Sequence, residues 1–315
     1  YWTTNFLIYS FINNIYIYIL LMSSKNIKFG GTRLRLNKFD IKKMEDHCTI
    51  AMIAKRASGK SYLTREIMYH KRDIPTAIAI SKTEKLNKFY GKFIPDLFIY
   101  NTFSTKILTN LYNRQGKMSE DNKKRKEDGK KLKDDAVMLI MDDCMSSKGT
   151  WVKDENILEL FFNGRHHHIA FILTMQYSMG IPPEMRSNFD YIFLLAEDFI
   201  SNRKRLYEHY AGMFPSFDIF QQVFTEVTEN YGCMVINNRV HSKNITDKVF
   251  WYKAKEVPDF TIGSKKFKKF HKKNFDKDWN KRLPVFDPTV ALSKRRNKIQ
   301  LIVEKIKKKG YTNDD

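Results

Sequence analysis

Cysteine is scarce in this chain, with three residues among 315: Cys48, Cys144 and Cys233. They lie far apart and two of them fall inside apolar runs, so neither a disulfide framework nor a zinc cluster is expected. A reducing compartment is the natural inference from this cysteine usage. Internal repeats are also missing, so a repeat architecture is not expected.

Charge is absent from the first 21 residues, "YWTTNFLIYSFINNIYIYILL". Asn13 and Asn14 interrupt the apolar stretch, no basic residue precedes it and no small-residue cleavage site follows, so neither a signal peptide nor a membrane span is favoured. The first methionine is Met22, and the bias towards Ile, Tyr, Asn and Phe is typical of AT-rich coding DNA. We therefore expect residues 1–21 to be translation upstream of the native start; the alternatives are a membrane anchor and a packed apolar helix.

Acidic residues are too few to balance the basic ones. The chain has 35 Asp or Glu against 56 Lys or Arg, a net charge of +21, and a pI near 9.6. A hydrophobic content of 42% is enough for the core of one good-sized domain plus appendages and excludes a disordered protein. The charge predicts a polyanionic partner, either nucleic acid or an anionic membrane; the alternative is a solvated lysine-rich surface.

The basic excess is concentrated in residues 264–315, which hold 17 Lys or Arg and 6 Asp or Glu. Its first part, "SKKFKKFHKKNF", interleaves aromatic residues with cations. This pattern suits contact with backbone phosphates together with bases or lipid, and a merely solvated charged tail fits it equally well.

From residue 49 onward, apolar strand-like runs alternate with helical patterns, which predicts an α/β fold with a mostly parallel central sheet flanked by helices. Strands are predicted over residues 49–54, 76–81, 96–100, 136–144, 169–176, 191–196, 233–237 and 248–254. Helices are predicted over residues 61–72 and 216–230, from residue 104 onward, and within 155–168, where Gly164 is a plausible C-cap. Residues 117–135 contain almost no apolar side chains and are expected to form a solvated helix end or a mobile loop.

The stretch "AKRASGKSYL" (54–63) lacks the glycine that opens a phosphate-binding loop. In the usual G-x-x-x-x-G-K-[ST] pattern, backbone N–H groups at a helix N-terminus cradle phosphates, the lysine neutralises them and the hydroxyl serves Mg²⁺. Ala54 stands at the first glycine position and is tolerated only if it does not need a positive φ. A chance G-K-S before an ordinary helix is the alternative. The predicted nucleotide-binding residues are Ala54, Lys55, Arg56, Ala57, Ser58, Gly59, Lys60, Ser61 and Tyr62.

Two aspartates close the apolar run "AVMLIM". A loop-bound Mg²⁺ needs an acidic partner at the end of a neighbouring buried strand, so Asp142 is the predicted second metal ligand beside Ser61. Asp143 is the predicted general base for an attacking water, because adjacent residues at a strand end can diverge towards different ligands. The alternative is a solvent-facing strand end that carries two acids.

Gln176 ends the apolar strand "IAFILTM", where a neutral amide can hydrogen-bond both a γ-phosphate and a water; an ordinary strand-end polar residue is the alternative.

Arg165 and Arg186 flank this strand, and either is a candidate arginine finger for the nucleotide of a neighbouring subunit, although each alone is more often a surface cation. The "HHH" tract at 166–168 lacks Cys or acidic ligands at suitable spacing and is expected to be structural or to face DNA rather than to bind metal.

In this order, the loop, the double aspartate, "NGRHHHIAFILTMQY" and "IPPEMRSNFDYIFLL" resemble the DNA-packaging ATPases of poxviruses and giant viruses, a branch of the FtsK/HerA superfamily of ring-forming pumps. The resemblance covers about residues 45–255 and is most specific over residues 136–196. It implies a RecA-like P-loop domain of the ASCE type, in which the Gln176 strand lies between the loop strand and the Walker B strand that ends at Asp142.

The resemblance also implies roles for the candidate residues. Lys60 and Ser61 would bind phosphate and Mg²⁺, Asp142 would bind the Mg²⁺, Asp143 would be the base and Gln176 the sensor, and Arg165 is favoured as the residue acting across the subunit boundary. The chain departs from the family pattern at two positions. The wider superfamily generally has Glu where Asp143 stands, so a shorter carboxylate needs a closer water. Ala54 in place of glycine bears on phosphate affinity rather than on fold.

The sequence thus predicts an ATP- and Mg²⁺-dependent motor that moves double-stranded DNA into a virion. By the resemblance it works as a homo-oligomeric ring with a capsid or portal-like component, in the host cytoplasm or the virion, without stable membrane insertion. The predicted divisions are an apolar leader (1–21), a P-loop ATPase domain (22–263) and a basic extension (264–315). A P-loop kinase and a non-catalytic DNA-binding or scaffold protein with a degenerate loop are the alternatives.

Overall fold

The computed structural model describes residues 24–29, 32–144, 151–177 and 180–278. The predicted apolar leader and the basic extension beyond residue 278 lie outside these described residues. The chain divides at Asn274 into two compact units, and all the elements below belong to the first. Within the described ranges, no helix has both the length and the apolar character needed to cross a bilayer.

In the part of the chain that the structure describes, ten strands form two sheets. A two-stranded antiparallel hairpin pairs β1 with β2, and the other eight strands form one sheet in the order β10-β9-β8-β3-β7-β6-β4-β5. The strands are β1 Ser24–Phe29, β2 Thr32–Asn37, β3 Thr49–Ile53, β4 Thr76–Ser81, β5 Ile99–Tyr100, β6 Val137–Asp142, β7 Ile169–Met175, β8 Tyr191–Leu195, β9 Gly232–Asn237 and β10 Val249–Lys253.

The described residues include nine α-helical segments, three of which are single turns. They are α1 Lys60–His70, α2 Glu84–Asn87, α3 Thr105–Glu127, α4 Glu155–Asn163, α5 Pro183–Arg186, α6 Ile200–Tyr210, α7 Phe217–Thr228, α8 Ile245–Lys248 and α9 Lys265–Asn274.

The large sheet is mostly parallel, as the sequence predicts. Strands β5, β4, β6, β7, β3 and β8 run parallel to one another, and only β9 and β10 add antiparallel pairings. The carboxyl ends of the parallel strands therefore meet at one edge of the sheet, and β9 begins at that same edge. Because β7 lies between β3 and β6, the strand order expected from the family resemblance is confirmed.

Helices cover both faces of the sheet, which explains why its central strands are apolar at every position rather than at alternate ones. Along β6, Leu139 packs in a core with residues of α3, α4, α6 and α7, and the next residue, Ile140, packs in a second core with residues of α1. Both side chains are fully buried. Packing on both faces therefore fixes the sheet, and the ends of its strands hold the loops at the carboxyl edge in place.

One prediction about local structure is wrong, and one that left two readings open is decided. Residues 96–100 are not all strand: Asp96–Phe98 form a 3₁₀ turn after Pro95, which places the Phe98 ring on Phe267 of α9 at 4.0 Å, and only β5 pairs with the sheet. For the charged stretch after residue 117, the structure confirms the first of the two predicted readings, a solvated helix end, since α3 runs on to Glu127. Lys, Arg and Glu are good helix formers, and three basic residues in the last turn favour the helix dipole.

Candidate functional site

The predicted phosphate loop lies at the carboxyl edge of the sheet, between the end of β3 and the start of α1. Gly59 caps α1 with φ +96°, and Ala57 also has a left-handed backbone with φ +61°. The buried Ser58 hydroxyl donates to the Lys55 carbonyl at 2.7 Å, which closes the loop on itself. The first turn of α1 thus points unpaired N–H groups into the loop, the arrangement that binds anions.

The backbone of Ala54 fits the phosphate-loop assignment, which requires that this alanine has no positive φ. Its N–H donates to the Met175 carbonyl at 2.9 Å, so it continues the pairing of β3 with β7. Ala54 has no positive φ, and its Cβ therefore carries no backbone penalty. The left-handed residue of this loop that does carry a Cβ is Ala57.

Lys60 reaches the end of β6. Its Nζ lies 3.1 Å from Asp142 Oδ1 and 2.6 Å from Asp143 Oδ2, although the chain separates the lysine from these acids by more than 80 positions. The Thr174 hydroxyl is 3.4 Å away. One ammonium group offsets the charge of two adjacent carboxylates, which would otherwise repel each other in a partly buried site.

Asp142 is surrounded by hydroxyl donors. Ser81 Oγ, at the end of β4, donates to Asp142 Oδ2 at 3.1 Å, and the Thr174 hydroxyl of β7 donates to Oδ1. Tyr90 is buried against the same carboxylate; its pKa is raised well above the usual value, first by burial and then by the charge and the hydrogen bond of Asp142. These groups fix the orientation of the carboxylate.

Asp143 leaves the strand with a left-handed backbone, φ +49°. Its Oδ2 accepts from Lys60 and, at 2.9 Å, from Gln176 Nε2. Its Oδ1 is buried and has no hydrogen-bond partner among the described residues. A buried unpaired carboxylate oxygen is costly and points to a further polar ligand, such as a water or a cation.

The side chains at this edge fit Mg²⁺. Mg²⁺ takes hard oxygen ligands, usually one or two carboxylates together with substrate phosphates and waters. Asp142 and the unpaired Asp143 oxygen supply carboxylate, and Ser61 presents an exposed hydroxyl from the first turn of α1. In the described ranges, no group of three or more His, Cys, Asp or Glu side chains is arranged to hold a metal by itself. A cation here would therefore depend on phosphate ligands.

The other predicted loop residues face outward. The Lys55 ammonium pairs with Asp198, just after β8, and Arg56 is exposed. Tyr62 is 63% exposed on the first turn of α1. These side chains surround the loop without entering the cluster of Lys60 and the acids.

Neither candidate arginine lies in this cluster. Arg165 is exposed in the turn between α4 and β7, so the seven residues of β7 separate it from Gln176. Seven strand residues span about 20 Å, which puts Arg165 near the opposite edge of the sheet. Arg186 ends α5 and lies over the Tyr210 ring, with 5.9 Å between the guanidinium carbon and the ring centroid. The assignment of either arginine to catalysis stays a prediction.

The histidine tract packs at the amino edge of the sheet. His167 Nε2 lies 2.9 Å from Glu159, and His168 Nδ1 lies 2.6 Å from Asp135 while its ring stacks on His47 at 4.8 Å. These contacts favour the structural reading of the tract.

Sequence reasoning missed the three hydroxyl groups around Asp142. Ser81 and Thr174 carry a weak signal, because each is a polar residue at or next to the end of an apolar strand. Tyr90 carries none, since it begins a 3₁₀ turn that follows α2, and only the fold brings its side chain to Asp142.

The fold and this site define the class of the protein. A phosphate loop after β3, an acid pair after β6 and an additional strand between them, ending at Gln176, are the features of a RecA-like P-loop NTPase fold. This assignment rests on the strand order and on the loop.

Comparison with known proteins shows the family. Protein L437 of Acanthamoeba polyphaga mimivirus is 44% identical over 249 residues, which cover 79% of this chain and 87% of that protein. Protein 088R of Invertebrate iridescent virus 3 is 36% identical, with 68% and 80% covered, and protein 075L of Invertebrate iridescent virus 6 is 30% identical, with 74% and 88% covered. The chain belongs to the family that includes these viral proteins. No family model matches it.

Solved structures give weaker likenesses. The genome packaging NTPase B204 from Sulfolobus turreted icosahedral virus 2, in complex with sulfate, is 14% identical and covers 68% of this chain and 100% of its own, with a TM-score of 0.47. The pCW3 conjugation coupling protein TcpA with ATPγS is 12% identical and covers 74% and 65%, with a TM-score of 0.44. At these scores the likenesses carry no functional conclusion for this chain.

Proposed function

We propose that this protein is an ATP-hydrolysing motor that translocates double-stranded viral DNA into the virion. The observation that carries the nucleotide part is the convergence of Lys60, Asp142, Asp143 and Gln176 on one point of the carboxyl edge. The packaging part is supported by the family resemblance of the motifs and by relatives that are all proteins of viruses.

The hydrogen bonds of the cluster suggest how its residues divide the work. Lys60 neutralises the acids and, with a triphosphate in the loop, would neutralise the β and γ phosphates instead. That exchange frees Asp143 to accept a proton from a water, while Gln176 keeps its carboxylate oriented through the amide contact. Bound Mg²⁺, held by Ser61 and Asp142, would supply charge to offset the phosphates.

The net positive charge of the chain supports DNA as the proposed partner. A pump has to grip DNA through its phosphates, because translocation must ignore sequence, and a net charge of +21 suits such a grip. We place the protein in the infected host cytoplasm or the virion, with a capsid or portal-like component as its docking partner.

The position of Arg165 supports a role in a neighbouring site. An exposed guanidinium near the edge opposite Gln176 is too far to act on the nucleotide of its own chain. In a homo-oligomeric ring, an exposed arginine can stabilise transition-state charge on the next subunit. We therefore keep Arg165 as the first candidate for a trans arginine finger and Arg186 as the second.

The proposal is tested by ATP turnover measured with and without duplex DNA for the wild type and for Lys60→Ala. We expect DNA to raise wild-type turnover and Lys60→Ala to abolish it while leaving DNA binding intact, because the phosphates lose their cation. Lys126→Ala, an exposed lysine near the end of α3, is the matched control and should turn over ATP at the wild-type rate.

Three outcomes would contradict the proposal. If Lys60→Ala lost DNA binding but kept hydrolysis, the assigned roles would be wrong. Phosphate transfer to an added nucleoside would indicate a kinase. If ATP with Mg²⁺ produced no shift in melting temperature, a non-catalytic scaffold with a degenerate loop would be favoured.

A further inference from the structure

The turn before β9 has a strained backbone beside the phosphate loop. Asn230 and Tyr231 both have positive φ, 52° and 64°. Asparagine tolerates this conformation, whereas for a bulky residue such as tyrosine it is a genuine outlier. Strain of this kind persists only where the surrounding structure enforces it, and it concentrates at ligand clamps and active sites.

Gly232 shows how the turn is enforced. A Cβ on this residue would lie 2.2 Å from the Val227 carbonyl oxygen and 3.0 Å from that of Glu229, so only glycine fits where the chain folds back on the end of α7. Gly232 then enters β9, which is paired on both sides. Tyr231 is therefore held in place from both directions along the chain.

The Tyr231 side chain lies beside the phosphate loop. A Cβ on Gly59 would be 3.6 Å from Tyr231 Cβ and 3.7 Å from its Cδ1. Tyr231 is nevertheless 67% exposed. A tyrosine that served only the packing of the core would be buried, whereas this side chain lies beside the glycine before Lys60 and leaves most of its surface open.

The strand order puts Tyr231 on the side of the loop away from the acids. On one side of β3 lie β7 and β6 with Gln176 and the aspartates, and on the other side lie β8 and β9. A nucleotide whose phosphates contact Lys60 extends its base away from the acid side, towards the segments after β8 and before β9. Phe199 and Ile200, also largely exposed, lie in the segment after β8 that Asp198 ties to Lys55.

We infer that the Tyr231 ring is the platform on which the purine base of the bound nucleotide stacks. The inference rests on the proposed function, and it deepens that function by naming the residue that binds the base. Stacking is tolerant of base identity because every base presents a π-face. Tyr231 therefore adds affinity for ATP and GTP alike, and it adds none for a ligand without a base.

The test compares two probes on the full chain, ATP and inorganic tripolyphosphate, each with Mg²⁺. Tyr231→Ala lowers the affinity for ATP about tenfold, equivalent to about 1.4 kcal/mol, and leaves the affinity for tripolyphosphate unchanged. Tyr231→Phe and Tyr231→Trp keep the affinity for ATP. Phe270→Ala removes a similarly exposed aromatic ring from α9, remote from the loop, and affects neither probe.

A glycine variant separates base binding from a structural role. Tyr231→Gly relieves the positive φ and is expected to raise the melting temperature while lowering ATP affinity as far as Tyr231→Ala does. A tyrosine with only a structural role would change stability without changing the ratio of ATP to tripolyphosphate affinity.

The outcomes are distinguishable. Unchanged ATP affinity in Tyr231→Ala, or an equal loss for both probes, overturns the stacking role and leaves the proposed ATPase standing. If the wild type binds neither probe, the proposed function fails and the inference falls with it.

Discussion

Left-handed backbone at single residues shapes the proposed nucleotide site. Successive residues of a strand point to opposite faces, so Asp142 and Asp143 would normally diverge. Because Asp143 leaves the strand with φ +49°, both carboxylates reach the Lys60 ammonium. The phosphate loop has the same left-handed backbone at Gly59, where this conformation costs little, and at Ala57, where it costs about 1 to 2 kcal/mol.

Ala57→Gly should therefore stabilise the protein. Glycine removes the penalty of the left-handed conformation but adds conformational entropy to the unfolded chain, so we expect a net gain of about 0.5 to 1 kcal/mol in the free energy of unfolding. Chemical denaturation measures it.

Ala54→Gly is the matched control in the same loop. Ala54 has no positive φ and its methyl group is buried, so this change should lower the free energy of unfolding by about 0.5 to 1 kcal/mol. If both variants shifted stability in the same direction, the backbone argument would be contradicted.

Among the elements, the middle of α3 ties the starts of three strands together at the amino edge of the sheet. Gln115 Nε2 donates to the carbonyls of Asp135 and His167, at 3.0 and 2.6 Å, just before β6 and β7. Arg114 donates to the Asp135 carbonyl as well and to Thr76 at the start of β4. A polar clamp of this kind lets a helix with a short apolar face hold a buried sheet.

Gln115→Leu is expected to lower the free energy of unfolding by about 1 to 3 kcal/mol, because it leaves the His167 carbonyl without its donor and the Asp135 carbonyl with only Arg114. Thermal or urea unfolding checks this. Asn110→Ala, at an exposed position on the same helix, should stay within about 0.5 kcal/mol of the wild type. Equal effects of the two changes would rule out the clamp.

For the whole molecule, the dominant property is its charge of +21. If the protein grips DNA through phosphates, each neutralised phosphate releases counterions and binding weakens steeply with salt. We expect the affinity for duplex DNA to fall about 1000-fold between roughly 50 and 200 mM salt, equally for unrelated sequences.

The measurement is a salt titration of DNA binding, with ATP turnover followed at two salt concentrations. Lys60→Ala should give the same salt slope as the wild type, because the proposed role of Lys60 is at the nucleotide. Binding that is insensitive to salt or that depends on sequence would argue against a packaging motor.

Local patterns in the sequence determined much of the fold. Apolar runs of five to seven residues predicted β3, β4, β6, β7 and β8 with nearly correct bounds, because burial on both faces leaves a continuous apolar signature. The hairpin of β1 and β2 and the helices α6 and α9 were not predicted. The side chains of α6 and α9 are largely exposed, so the apolar periodicity of these two helices gives little signal.

The sequence alone also determined which residues are proposed to carry the chemistry: a loop lysine, two strand-end acids and a strand-end amide. Only the tertiary structure decided that Ser81, Thr174 and Tyr90 surround Asp142 and that Tyr231 lies beside Gly59. The physical reason is that side-chain alternation and helix capping act within a few residues. Strand order, by contrast, is set by packing across the whole sheet, and it brings together residues far apart in the chain.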